Sequence, residues 1–286
     1  MTILTQKHRP AGRARRAGRT GTAEVGTART GARSAAGRLA LQRLLALVVL
    51  LALWYVAVAA GVLPSFTPTP SAVAAAIGAA VVNPGFWAAL GQTVLAAGIG
   101  WLISCVLGVV IGLLVGTVRW LDRSTSLVVE FGRAFPTIAL MPVVMLLLGA
   151  TTTMKITMVV LAAVWPVLVQ AILGSRRLDP GIVDTARIFR IPRGLWFRRV
   201  LLPASLPFVA TGVRISASIA ILAAVGVEVL TQVPGLGRLI TLAQEAQRWD
   251  LAFAYLFFAG LFGWGIAALL SWGERSLLAW NRRSDD

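Results

Sequence analysis

Six long apolar stretches, separated by short polar or proline-bearing connections, set the pattern of this chain. Each is long enough to cross the hydrocarbon core of a bilayer as a helix, which takes about 20 residues. They run from Leu39 to Leu63, within Trp87 to Val118, and from Leu127 to Leu148. Three more run from Ile156 to Leu173, from Phe208 to Leu230, and from Leu251 to Trp272. The first stops before Pro64, Pro68 and Pro70. No connection has room for a soluble domain, and no internal repeat stands out. The pattern predicts an all-α fold, a polytopic membrane helix bundle with about six transmembrane helices. Within the second span Gly108, Gly112 and Gly116 recur every four residues and leave one helix face bare for close backbone approach. Two readings stay open there: a helix contact in a bundle or dimer, or the general abundance of glycine in membrane helices.

Composition agrees with the pattern and removes several chemistries. Hydrophobic residues make up 57%, charged residues 13%, and mean hydropathy is +0.80, whereas soluble domains carry roughly 25% charge. The only histidine, His8, lies near the N-terminus, so no embedded Ser–His pair or multi-histidine metal site can form. The only cysteine, Cys105, lies inside an apolar span. It allows neither an intrachain disulfide nor a thiolate cluster and reads as a small packed residue.

The net charge of +16 is unevenly spread. Met1 to Arg43 carries ten Lys and Arg against Glu24. Residues 1–38 are expected to form a basic, disordered cytoplasmic tail, and residues 39–286 a transmembrane domain. The tail reads as a solvated segment that touches membrane lipid at most, with no nucleic-acid partner. A cleavable signal peptide fits poorly, because the basic region and the apolar run are both too long. With the tail inside, six spans return the C-terminus to the same side. Twenty-two of the 27 Lys and Arg then fall inside, and only Lys155, Arg238 and Arg248 fall outside. By the positive-inside rule the chain is a multi-pass protein of the cell membrane with both termini cytoplasmic.

The longest inner connection, Ser175 to Pro207, has helical signals of its own. Asp179 is an N-cap followed by Pro180 in the first helical position. Ile182, Ala186 and Phe189 then share one face. A second short helical stretch, Gly194 to Leu201, is expected to end at Pro203. A helix outside the membrane with an apolar face either docks into a partner's groove or lies on its own bundle.

The segment VDTARIFRIPRGLWFRRVLLP (Val183 to Pro203) resembles the EAA loop of membrane subunits in ATP-binding-cassette importers. Asp184, Thr185 and Ala186 stand at the Glu-Ala-Ala places, Arg190 at the glycine, and Leu202-Pro203 at the Leu-Pro. That glycine commonly supplies a left-handed turn, which Arg tolerates poorly, so Ile191-Pro192 is expected to turn the chain instead. Further segments are similar to the family in order: Pro68 to Ser71, Gln92-Thr93, GRAFPTIALMPV (Gly132 to Val143) and VEVLTQVPGLGRLI (Val227 to Ile240). Together they resemble the nitrate/sulfonate/taurine-type branch.

The resemblance implies the permease subunit of a type I importer for a small, anionic solute. It also implies a second permease subunit, identical by family habit, two cytoplasmic ATPase subunits and an extracytoplasmic binding protein. Asp179, Asp184, Thr185, Ala186, Phe189, Arg190, Leu202 and Pro203 would form the ATPase-coupling loop. The chain contains no G-x-x-x-x-G-K-[ST] loop, so this chain needs no cofactor, is not itself an enzyme, and leaves ATP and Mg to the partner ATPase.

Charges within spans are costly and are candidates for function. Glu130 and Arg133, three apart, lie within pairing reach on a helix. Arg133 and Arg214 read as snorkelling toward the inner interface. Met141, Met145 and Met154 fit packing better than a gate. Glu228 either lines the pathway or a gate, or makes structural hydrogen bonds. Glu130, Arg133, Met141 and Glu228 are the pathway or gate candidates. Rival readings are an ATP-independent secondary transporter or channel, an importer permease of another substrate branch and, most distantly, a membrane enzyme.

Overall fold

The computed structural model describes residues 24–178 and 180–277. The expectations for residues 1–23, for Asp179 as an N-cap, and for residues 278–286 lie outside them. The chain forms two compact units, Met1–Ala60 and Gly61–Asp286, and the described residues contain no strand.

The first unit holds α1 (Glu24–Ala59), whose stretch Arg38–Ala59 has a mean hydropathy of 2.1. The helix starts within the segment expected to be disordered up to residue 38. Ala and Arg are strong helix formers, and extending a helix already nucleated by its apolar part costs little.

The second unit runs α2 (Pro70–Val82), α3 (Pro84–Thr117), α4 (Arg119–Ala134), a 3₁₀ turn (Thr137–Leu140), α5 (Met141–Leu148) and α6 (Thr152–Arg176). It continues with α7 (Pro180–Ile188), α8 (Arg193–Trp196), a π turn (Phe197–Leu201), α9 (Leu202–Thr231), α10 (Leu236–Glu245) and α11 (Trp249–Leu277). Among the described residues five helices are long and apolar enough to cross a membrane. Counting the bent α4–α5 pair as one span makes six. Side-chain caps fix several starts: Thr69 accepts from Ala72 N–H, Asn83 from Gly85 N–H at 2.8 Å, and Thr151 from Met154 N–H. Neither α2 nor α10 was expected, since each is too short to register as a span.

Helix α6 is the central element, packed between α3 and α9. The glycine ridge of α3 makes the closest approach. A Cβ on Gly112 would lie 2.6 Å from the Leu168 carbonyl oxygen, and one on Gly108 would lie 2.7 Å from Val167 Cβ. The ridge is therefore an intrachain contact between α3 and α6. On the opposite side, a Cβ on Gly212 of α9 would lie 3.0 Å from the Pro166 carbonyl oxygen.

Two expectations about continuity are corrected. The third span is broken, with α4 and the α5 segment bent by 91°. Pro136 lacks an N–H and drives Phe135 to extended backbone (φ −70°, ψ 129°). Conversely, Pro203 does not end the second loop helix. It sits in the first turn of α9, where no intrahelical N–H is needed, and the π turn before it carries the chain straight in.

Candidate functional site

Lys155 lies in the first turn of α6 and Glu228 near the end of α9, and neither exposes surface. Lys155 Nζ donates to Glu228 Oε1 at 2.7 Å and to the Pro234 carbonyl at 2.9 Å. Gly237 N–H donates to Oε2 at 2.9 Å. Thr93 Oγ1 of α3 is 2.9 Å from both carboxylate oxygens and accepts the Leu236 N–H at 2.8 Å. A carboxylate surrounded by donors in this way can be held charged away from water. The turn after α9 has to come close to do it: a Cβ on Gly235 would collide with the Glu228 carboxylate, and one on Gly237 would sit 2.6 Å from Glu228 Cβ. An apolar cluster of Phe86, Leu236, Ile240, Tyr255 and Phe258 packs α10 against α3 and α11 beside this network.

Within this chain Glu228 makes the hydrogen bonds that the structural reading expects. Lys155, which the charge count places on the outer side, is buried in this pair. A lone Lys within the first turn of a long apolar helix, with a lone Glu on another span, was the available signal.

Glu130 and Arg133 do share a cavity. A cleft of about 520 Å³ between α4, α6 and α9 is lined by both, together with Thr137, Trp165, Gln170 and Ile219. Both side chains are exposed. The pairing that their spacing allows is not made: no ion pair joins them. Met141 lies elsewhere, packed with Met154, Met158 and Val227. Arg214 does not simply snorkel, since it pairs with Glu274 of α11 at 3.1 Å.

The loop between α6 and α9 forms a separate site at the other end of α6, about 30 Å from Lys155 at 1.5 Å per residue. Ala186 faces the protein and is 8% exposed, while Ile182, Ile188 and Phe189 are 49%, 77% and 75% exposed. The apolar face expected to unite Ile182, Ala186 and Phe189 is thus divided between inside and outside. Asp184 and Thr185 are exposed, and Thr185 Oγ1 caps back onto the Gly181 carbonyl at 2.7 Å. Leu202 and Pro203 are exposed at the start of α9.

The turn after α7 also differs from expectation. Arg190 itself adopts the left-handed conformation, φ +47°. Ile191 N–H then bonds the Ala186 carbonyl at 3.0 Å, closing the helix end in a Schellman arrangement. The backbone keeps the shape that glycine would favour, and Arg190 carries the steric cost of about 1–2 kcal/mol.

Comparison with known proteins agrees with this architecture. The chain is 28% identical over 219 residues to the putative aliphatic sulfonates transport permease protein SsuC of Bacillus subtilis, covering 75% of this chain and 78% of that protein. It is 30% identical over 217 residues to a probable ABC transporter permease protein of Haemophilus influenzae, covering 76% and 88%. The match to the bicarbonate transport system permease protein CmpB of Synechocystis is 26% over 165 residues and spans 59% of that protein's length. Inward-facing structures of the MetNI methionine ABC transporter share the fold. One aligns with a TM-score of 0.57 at 17% identity, covering 68% of this chain and 99% of that one. The family of binding-protein-dependent transport system inner membrane components matches residues 106–279, more than half of the sequence, and the chain belongs to that family.

Proposed function

We propose that this permease subunit imports a small inorganic or organic anion. The relatives named for aliphatic sulfonates, bicarbonate and nitrate support that class of solute. An external binding protein delivers the solute, and two cytoplasmic ATPase subunits, which hold ATP and Mg, drive the cycle. Two copies of the permease, with residues 39–286 as the transmembrane domain, line the path. Both termini are cytoplasmic, with residues 1–38 a basic cytoplasmic extension. Glu130 and Arg133, open to the same cleft, are the pathway candidates.

The observation that carries the ATPase coupling is the exposed apolar surface of α7 and its end, Ile182, Ile188 and Phe189. Asp179, Asp184, Thr185, Phe189, Arg190, Leu202 and Pro203 form the docking surface. Ala186 acts from beneath by seating α7 on its own bundle. The test is uptake of labelled sulfonate, nitrate or bicarbonate by proteoliposomes holding the permease, ATPase and binding protein. ATP-dependent accumulation of one of these anions is expected. Uptake by the permease alone, down a gradient and without ATPase, overturns the reading in favour of a secondary transporter.

A further inference from the structure

Behind α7, where α3 and α6 end, lies a second cleft of about 480 Å³. Its lining includes Arg176, Arg190, Arg193, Thr117, Ser175 and Trp196, and no carboxylate among the described residues. Arg176 is already paired with Asp122. Arg190 and Arg193 meet no acidic side chain among the described residues. The Thr117 and Ser175 hydroxyl protons are committed to the Leu113 and Ile172 carbonyls at 2.8 and 2.7 Å. The Trp196 indole N–H makes no hydrogen bond within the described chain. Among the described residues the cavity thus presents two guanidiniums without an acidic partner and a spare N–H donor, with a third guanidinium alongside.

Like charges that share one cleft repel, and although water and salt screen them at this exposed site, they favour an entering anion. Guanidinium offers several donors in a planar fork that matches two oxygens of a phosphate-like group. One of the two arginines is held in the left-handed region at a corner where glycine would be less strained. Strain kept at such a position calls for a functional reason, and delivering a guanidinium to this cleft provides one.

We propose that this cleft binds a tetrahedral oxyanion group of the phosphate or sulfonate type, held by Arg190 and Arg193, with Arg176 and the Trp196 indole at its edge. Two sources present that chemistry: the headgroup of an anionic phospholipid, or a soluble oxyanion from the side of the membrane that carries α7. The site is distinct from the Glu130–Arg133 cleft and does not depend on which solute is transported.

The experiment uses the full-length chain in nanodiscs. Inorganic sulfate is titrated calorimetrically into discs of phosphatidylcholine alone. In parallel, discs with added phosphatidylglycerol are used to measure lipid retained by the protein in native mass spectrometry. Arg190→Gln/Arg193→Gln should weaken binding or retention at least tenfold. Arg190→Gly removes the charge while relaxing the backbone, so it should weaken binding severalfold without lowering the unfolding temperature. Arg198→Gln, an exposed arginine outside the cleft, should leave binding unchanged. Sulfate binding assigns the soluble source, and phosphatidylglycerol retention alone assigns the lipid. The proposal is overturned if the wild-type chain binds neither. Equal losses in the Arg198→Gln and double variants also overturn it, since bulk charge then explains the binding.

Discussion

Lys155 Nζ and Glu228 Oε1 meet at 2.7 Å with both side chains shut off from solvent, joining the beginning of α6 to the end of α9. Each partner's environment is chemically one-sided. Around Glu228 stand the donors Gly237 N–H, Thr93 O–H and Lys155, while Lys155 also faces the Pro234 carbonyl.

Removing one partner should therefore be far worse than removing both. Lys155→Met leaves a buried carboxylate without its counter-charge and is expected to cost about 3–5 kcal/mol. Lys155→Met/Glu228→Gln should recover most of that loss, since Gln still accepts from Gly237. The swap Lys155→Glu/Glu228→Lys should fail, because it turns donors toward a cation and a carboxylate toward a carbonyl. Unfolding temperatures in detergent decide it, and a swap variant as stable as wild type would refute the one-sided picture.

The α3–α6 contact predicts sharp position dependence among glycines of one helix. Gly112→Ala places a Cβ 2.6 Å from the Leu168 carbonyl oxygen and is expected to cost about 1–3 kcal/mol by overpacking. Gly98→Ala on the same helix meets nothing within 4 Å and should be neutral or slightly stabilising through helix propensity. Equal effects of the two substitutions would show that the ridge does not control packing.

At the turn after α7, Arg190→Gly should raise stability by about 1 kcal/mol by removing the left-handed penalty. Arg190→Val should lower it, because a branched Cβ fits that region worst. Thermal unfolding of the purified subunit checks the order Gly above Arg above Val.

The proposed ATPase interface can be tested by burial. Phe189→Asp or Ile188→Asp alters only exposed surface, so the subunit should fold normally. Its affinity for the ATPase should fall about thirtyfold, a loss of about 2 kcal/mol. Ala186→Trp should instead destabilise the subunit itself. Normal co-purification and ATP hydrolysis with both Asp variants would remove α7 as the coupling surface.

Topology can be checked on a Cys105→Ser background. Single cysteines at the exposed positions Ser65 and Gln244 should react with an impermeant thiol reagent in intact cells. A cysteine at exposed Gly194 should react only after the membrane is opened. Labelling of Gly194→Cys in intact cells would reverse the assigned orientation.

The spans were legible because hydropathy over some 20 residues reports directly on the cost of burying backbone and side chains in lipid. The glycine spacing at 108, 112 and 116 showed that a backbone would approach, though only the fold shows that Leu168 is what approaches. Pro136 and Pro203 illustrate the remaining difficulty. One proline breaks its helix and the other begins one, and the difference lies in whether neighbouring carbonyls find other partners. The pairing of Lys155 was not legible for a related reason: its carboxylate stands 73 residues later, and only the fold brings the two together. The loop candidates fall together at one end of α6, but the α7 face expected from spacing is divided at Ala186, because periodicity cannot say which side of a short helix has protein behind it.

Helix α6 contains Pro166 at mid-length, where a helix on its own would flex. The Gly108 and Gly112 backbone presses on α6 just beyond that point, and Gly212 presses at Pro166 itself. The weak joint is thus splinted from two directions, with no long side chains between to absorb movement. A displacement imposed at the α7 end would then meet α6 as a stiff rod, with Lys155 at its far end. The proline-broken α4–α5 arm, which borders the Glu130–Arg133 cleft, meets α6 differently, through the Trp165 ring packed on Gly132 rather than backbone on backbone.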